Sequence, residues 1–322
     1  MNDVVLKVKD LKCHFHTRKG IVKAVDGVNF EVKKGEILAI VGESGSGKSV
    51  TSQAIMRLIG QKNNERIEGK IFFRGENLLE KSEEEMRRLR GNRISMIFQD
   101  PMTSLNPAYR VGSQIAEVPQ IHEKKDKKSS WSIAIDMLHR VGIPSSEERA
   151  NDYPHQFSGG MRQRSVIAMA LASNPDLLIA DEPTTALDVT IQAQILDLMN
   201  DLRNQMGTAI IMITHDLGIV AELCDSVAVM YAGRIVEQAP IKELFASPKH
   251  PYTRGLLASL PKPGIRERLT PIEGQPPNLH DVPKGCMFAP RCPHAHEKCS
   301  EQPMLNNINE HHKVACWLEE EM

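Results

Sequence analysis

The 322 residues are 41% hydrophobic and 25% charged, with 40 Lys and Arg against 41 Asp and Glu for a formal net charge of −1. That content can bury a full core, which excludes a disordered chain, and the even charge balance argues against a protein built to neutralise a nucleic-acid backbone. No apolar run approaches the roughly 20 residues that span a bilayer, and the opening Met1-Asn2-Asp3-Val4 lacks the regions of a signal peptide, so any service to a membrane is expected from outside it, in a reducing compartment.

In chain order, Val4 to Val8 and Val28 to Val32 alternate apolar with polar residues, as half-buried strands do, and Gly27 and Lys33-Lys34-Gly35 punctuate them. An antiparallel opening is predicted. Ile37-Leu38-Ala39-Ile40-Val41 is a continuous apolar run, the mark of a strand buried on both faces in a parallel sheet. It leads into Gly42-Glu43-Ser44-Gly45-Ser46-Gly47-Lys48-Ser49, which fits G-x-x-x-x-G-K-[ST], and a helix is predicted from about Ser49 to Ile59. Glycines let such a backbone wrap phosphate oxygens, the helix N-terminus supplies positive potential, Lys48 reaches the β- and γ-phosphates of ATP, and the Ser49 hydroxyl binds Mg²⁺. The expected nucleotide contacts are Gly42, Ser44, Gly45, Gly47, Lys48, Ser49 and Val50.

Residues 100–170 are mostly helical in pattern and read as an insertion, with Lys124-Lys125-Asp126-Lys127-Lys128 as a solvated loop. Leu177-Leu178-Ile179-Ala180 repeats the buried-strand pattern and ends at Asp181 and Glu182, where strand ends of such sheets bind ligands. Asp181 is expected to hold Mg²⁺ and Glu182 to polarise the water that attacks the γ-phosphate. Ile191, Ile195, Leu198 and Leu202 keep helical spacing, and Ala209 to Ile213 is a third buried strand. Strands alternating with amphipathic helices imply an α/β core with crossover connections.

After Pro248, prolines such as Pro251, Pro261, Pro271 and Pro283 interrupt any long element, so a separate C-terminal unit is expected. Cys13 and Cys224 stand alone, whereas Cys286-x5-Cys292-x6-Cys299-x16-Cys316 crowds the tail. In a reducing compartment that cluster reads as a metal site before disulfides, either Zn²⁺ or an iron–sulfur cluster. The spacings lack the paired C-x-x-C knuckles of structural zinc, although His294 and His296 are positioned to replace a thiolate under zinc, and metal-free cysteines stay open.

Phe157-Ser158-Gly159-Gly160-Met161-Arg162-Gln163-Arg164 resembles the signature loop of ATP-binding-cassette proteins. The resemblance implies a P-loop NTPase fold of the ABC type, with an antiparallel β subdomain, a helical subdomain and a small C-terminal metal-binding extension. Residues 1–250 would form the nucleotide-binding domain and 251–322 the extension. It also implies that Ser158 and Gly160 touch ATP held by an opposing subunit, that Gln99 senses Mg²⁺ and the attacking water, and that His215 contacts the γ-phosphate. Asp188 would cross the dimer interface and Phe15 stack on adenine.

Within the family, Gln99-Asp100-Pro101-Met102-Thr103-Ser104-Leu105-Asn106-Pro107 and His250-Pro251-Tyr252-Thr253 resemble the dipeptide/oligopeptide importer branch, which nickel importers largely share. That likeness implies a paralogous ATPase partner in a heterodimer, with a homodimer open in isolation. It further implies two transmembrane permease subunits, an extracytoplasmic substrate-binding protein acting indirectly, and a place on the cytoplasmic face of the membrane. It favours a [4Fe–4S] cluster on Cys286, Cys292, Cys299 and Cys316. A soluble cassette ATPase acting on DNA or ribosomes is disfavoured, because there is one copy of each motif and no sustained heptad pattern.

Overall fold

The computed structural model describes residues 3–60, 64–98, 104–184, 189–260, 271–280 and 282–319. Two compact units emerge, each drawn from separated stretches: Met1–Leu6, Val32–Glu36 and Glu80–Met212 in one, Lys7–Glu31, Ile37–Leu79 and Ile213–Met322 in the other.

The polar/apolar alternation at the start runs further than predicted, giving β1 (Val4–Thr17) and β2 (Gly20–Lys33), which are followed by β3 (Ile37–Val41), α1 (Lys48–Ile55), β4 (Glu65–Phe73) and β5 (Glu76–Asn77). A four-stranded sheet of order β2-β1-β4-β5 results. Helix α1 is shorter than its predicted span, because the backbone turns left-handed at Arg57 (φ 49°).

In the unit that holds residues 80–212, α2 (Glu83–Leu89) precedes β6 (Ile94–Ile97), and a helical stretch follows: α3 (Val111–Glu123), α4 (Lys127–Arg140), α5 (Ser146–Arg149) and α6 (Gly159–Leu171). Helices α3, α4 and α6 pack on one another. The lysine-rich run is only partly the loop that was expected. Asp126 accepts from the N–H groups of Lys128 (2.9 Å) and Ser129 (3.0 Å), so Lys127 and Lys128 open α4 behind a capping carboxylate. Next come β7 (Leu177–Asp181), α7 (Val189–Met206) and β8 (Ala209–Ile213). β6 and β7 pair in parallel, with Ile94 opposite Leu177. All five residues of β7 and of β8 are buried, as their unbroken apolar runs require.

The other unit continues with α8 (Leu217–Leu223), β9 (Ser226–Tyr231), β10 (Arg234–Pro240), α9 (Ile241–Ala246), α10 (Pro251–Ala258), β11 (Asn306–Asn307) and β12 (Lys313–Val314). β3 runs parallel to β9, β9 antiparallel to β10, and β10 antiparallel to β12, with Glu237 opposite Val314. The proline-rich tail therefore extends the same ladder that carries the phosphate-loop strand. Among the described residues no helix is long and apolar enough to cross a membrane.

Candidate active site

The glycine-rich turn after β3 is built by close backbone approach. Gly42 (φ 153°) and Gly47 (φ 103°) both take backbone angles that side chains resist, and a Cβ on Gly42 would lie 2.1 Å from the Met230 carbonyl oxygen. A Cβ on Gly47 would lie 2.3 Å from the Ala24 carbonyl oxygen. Gly47 is also the residue before α1, so the turn hands directly to a helix N-terminus. Lys48 is buried, and its ammonium donates to the carbonyl oxygens of Gly42 (2.7 Å) and Glu43 (2.9 Å). Ser44 and Gly45 are exposed, Ser49 and Val50 half-buried. The buried Ser46 hydroxyl has no hydrogen-bond partner among the described residues. A glycine cradle, an inward lysine, an unsatisfied hydroxyl and a helix N-terminus fit a triphosphate with Mg²⁺.

In the same unit lies Thr214-His215-Asp216, which follows the last residue of β8. The Thr214 hydroxyl oxygen accepts from the Asp216 N–H (3.0 Å), and the Asp216 carboxylate caps α8 by accepting from Gly218 N–H (2.8 Å) and Ile219 N–H (3.4 Å). Both neighbours are thus anchored to backbone while His215 stands exposed between them. Phe15 is half-buried near the end of β1.

The other unit holds the carboxylates and the signature loop. Asp181, the last residue of β7, is 4% exposed. Glu182 follows in the left-handed region (φ 48°), a backbone conformation that costs a non-glycine residue about 1–3 kcal/mol and persists where surrounding structure enforces it. The next residue is tied to the signature helix: the buried Gln163 side-chain amide donates to the Pro183 carbonyl. Sequence reading assigned Gln163 no role beyond the motif. Ser158 caps α6, its hydroxyl accepting from the Met161 N–H (3.3 Å), and it is exposed together with Gly159, while Gly160 is half-buried. Gln99 and Asp188 lie outside the described residues.

The tail reaches the phosphate loop. Arg291 Nη1 and Nη2 clasp the Glu43 carboxylate at 2.7 and 3.1 Å, and the Glu43 N–H donates to Tyr252 Oη at 2.9 Å. Behind this contact Tyr231, Tyr252 and Phe288 form an aromatic cluster with centroids 4.6–5.4 Å apart. His250 packs on Phe288 (5.7 Å) and its Nδ1 accepts from Tyr252 N–H (3.0 Å); complete burial depresses its pKa to about 3 and leaves it neutral. The His250-Pro251-Tyr252-Thr253 motif thus contacts both the loop and the tail. No local signal marks Arg291; its role depends on a partner 248 positions away.

The expected metal ligands all belong to the tail. Cys286, Cys292, Cys299 and Cys316 do converge, lining one cavity with Phe288 and Trp317, but that cavity measures only ≈ 10 Å³. All four are free, and among the described residues no group of three or more His, Cys, Asp or Glu has metal-holding geometry. Burial raises the pKa of Cys286 and Cys292 and pushes Cys316 up to about 11. The four-thiol donor set suits a cluster.

The phosphate cradle, the carboxylate pair ending a buried strand and the capped signature helix define a P-loop ATPase of the cassette type. The pattern of the ABC transporter family matches residues 25–185, and that of the oligopeptide/dipeptide transporter C-terminal region matches residues 236–299. The chain is 55% identical to the probable peptide ABC transporter ATP-binding protein y4tR of Sinorhizobium fredii, covering 99% of this chain and 96% of that one. It is 57% identical to the oligopeptide transport ATP-binding protein OppD of Bacillus subtilis, over 98% of this chain and 88% of the other. Among solved structures, the dimeric post-hydrolysis state of the ATP-binding cassette MJ0796 bound to ADP and Pi superposes with a TM-score of 0.65 at 26% identity, covering 73% of this chain and 98% of that one. The chain belongs to the ABC transporter family, as an ATPase carrying the oligopeptide/dipeptide C-terminal region.

Proposed function

We propose that this chain powers the import of dipeptides or oligopeptides from the cytoplasmic face of the membrane. The observation that carries this reading is the tail: residues 236–299 follow the oligopeptide/dipeptide pattern while the body follows the cassette. Residues 1–250 act as the nucleotide-binding domain, with its helical part over about 100–170, and 251–322 as the extension. Gly42, Ser44, Gly45, Gly47, Lys48, Ser49 and Val50 hold the nucleotide, and Phe15 stacks on the base. Ser49, Gln99 and Asp181 take Mg²⁺, which supplies charge neutralisation on the phosphates. Glu182 is the general base, His215 contacts the γ-phosphate, and the chemistry is mostly positioning and charge stabilisation.

Ser158, Gly160 and Asp188 serve the opposing subunit. Support comes from the exposure of Ser158 at a helix N-terminus and from the dimeric state of the cassette relative. The partner is a paralogous ATPase, and two permease subunits and, indirectly, an extracytoplasmic binding protein complete the machine. Purification of the tagged chain from membranes in mild detergent should recover two integral membrane proteins and a second ATPase, with peptide-stimulated ATP hydrolysis in proteoliposomes. Ribosomes or DNA in their place would overturn the reading.

For the tail, a [4Fe–4S] cluster on Cys286, Cys292, Cys299 and Cys316 is favoured over zinc by the four-thiol donor set and apolar walls of their shared cavity. Its part is structural, since ATP hydrolysis needs no electron transfer. Anaerobic purification should give brown protein with broad absorption at about 400 nm and about four irons per chain. Colourless protein with one zinc, or with no metal, rejects the cluster.

A further inference from the structure

Glu43 stands at a position of the phosphate loop where the pattern accepts any residue, yet it is held at three points. Its carboxylate is clasped by Arg291 at 2.7 and 3.1 Å, its N–H donates to Tyr252 Oη at 2.9 Å, and its carbonyl accepts from Lys48 Nζ at 2.9 Å. Arg291 is itself fixed. It donates to the Glu273 carbonyl through Nε (2.9 Å), to Tyr231 Oη through Nη1 (3.3 Å) and to the Ile272 carbonyl through Nη2 (3.4 Å). With the two bonds to Glu43 that makes five, as many as a guanidinium has N–H groups, on a side chain 4% exposed. Tyr252 is fully buried.

Two consequences follow for a loop that receives a triphosphate. A carboxylate in that loop sets a negative charge beside an incoming anion, and the buried guanidinium cancels it. A glycine-rich turn also loses conformational freedom on binding unless it is ordered beforehand, and the Glu43 peptide is ordered from both sides. The same residue carries a carbonyl that holds the Lys48 ammonium. We propose that Arg291 and Tyr252 are positioning residues for nucleotide binding: acting through Glu43, they neutralise and preset the loop that Lys48 serves. The inference rests on reading Gly42–Ser49 as the loop that takes the ATP phosphates.

The test is fluorescence titration of the purified full-length chain with trinitrophenyl-ATP and Mg²⁺, with melting temperature measured alongside. Arg291→Ala leaves Glu43 uncancelled and should raise Kd by about 10- to 30-fold; Tyr252→Phe, which removes one hydrogen bond, by about threefold. Glu43→Gln removes the charge together with the clasp, so the double variant Glu43→Gln/Arg291→Ala should bind better than Arg291→Ala alone, within about fivefold of the unmodified chain. Recovery of binding by a second substitution is something a merely structural strut does not produce. If Arg291→Ala does not fold, Arg291→Lys keeps the charge without the fork and should fall between the two. Lys48→Ala separates the levels. Should Lys48→Ala bind as the unmodified chain does, the loop reading itself fails. Should Lys48→Ala lose binding while Arg291→Ala stays within about twofold, or should the double variant be no better than Arg291→Ala, the positioning role is overturned.

Discussion

The phosphate loop and the tail that grips it share one compact unit and are held by opposite means. The loop is shaped from within: glycines admit close backbone approach, and its lysine bonds carbonyls five and six residues back. The tail has two-residue strands and little apolar content, and it is held by polar contacts to residues far away in sequence. Fully buried Glu237 accepts from His312 Nε2 (2.8 Å) and from the N–H groups of Lys249 (2.7 Å) and His250 (2.9 Å), while His312 Nδ1 reaches Glu243 (3.0 Å). A segment too poor in apolar surface to make its own core stays folded by borrowing a sheet edge and satisfying charges on it.

Breaking the chemistry should leave both regions standing. Glu182→Gln keeps the shape at the end of β7 and removes the proposed base, so ATP should still bind while turnover falls about 10²–10⁴-fold in a steady-state hydrolysis assay. Retention of more than about a tenth of the activity would show that Glu182 is not the base.

Breaking the tail's attachment should release what grips the loop. His312→Ala strips fully buried Glu237 of one of its three partners and should cost about 3 kcal/mol in denaturant unfolding, with faster proteolysis confined to the tail. An unchanged digestion pattern would mean that strand pairing alone holds the tail.

The smallest effect is a pH dependence. Complete burial holds the folded-state pKa of His250 at about 3, against an unfolded value near 6.5. Between those values the unfolded chain binds a proton that the folded chain refuses, so this residue lowers stability as pH falls through that window. From pH 7 to pH 5 the loss is about 2 kcal/mol. Chemical denaturation at the two pH values reads it directly, and His250→Gln should remove that share of the slope.

What was legible in the sequence was what local chemistry dictates. Ile37–Val41, Leu177–Ala180 and Ala209–Ile213 declare buried strands by unbroken apolar runs, and the glycine spacing declares the phosphate loop between strand and helix. The left-handed backbone at Glu182 was not legible, because no residue type announces it. Asp126 was hidden inside a charged run that looked like solvated loop, although an aspartate before a helix is the usual capping signal. The four tail cysteines were readable as a cluster, but only the fold shows a cavity of ≈ 10 Å³ between them. Arg291 and Glu43 carry no pattern at all; their pairing exists only once 248 intervening positions have folded.

That separation imposes an order in time during synthesis. The ribosome makes Glu43 early and Arg291 248 residues later, an interval of about 12–50 s at ordinary elongation rates. A nascent chain therefore displays every motif of ATP chemistry before it owns the guanidinium that cancels the loop's own charge. On the role proposed for Arg291, ATP binds the growing chain more weakly until the tail has been made, and a chain broken off near residue 250 keeps the motif set without the cation that faces Glu43.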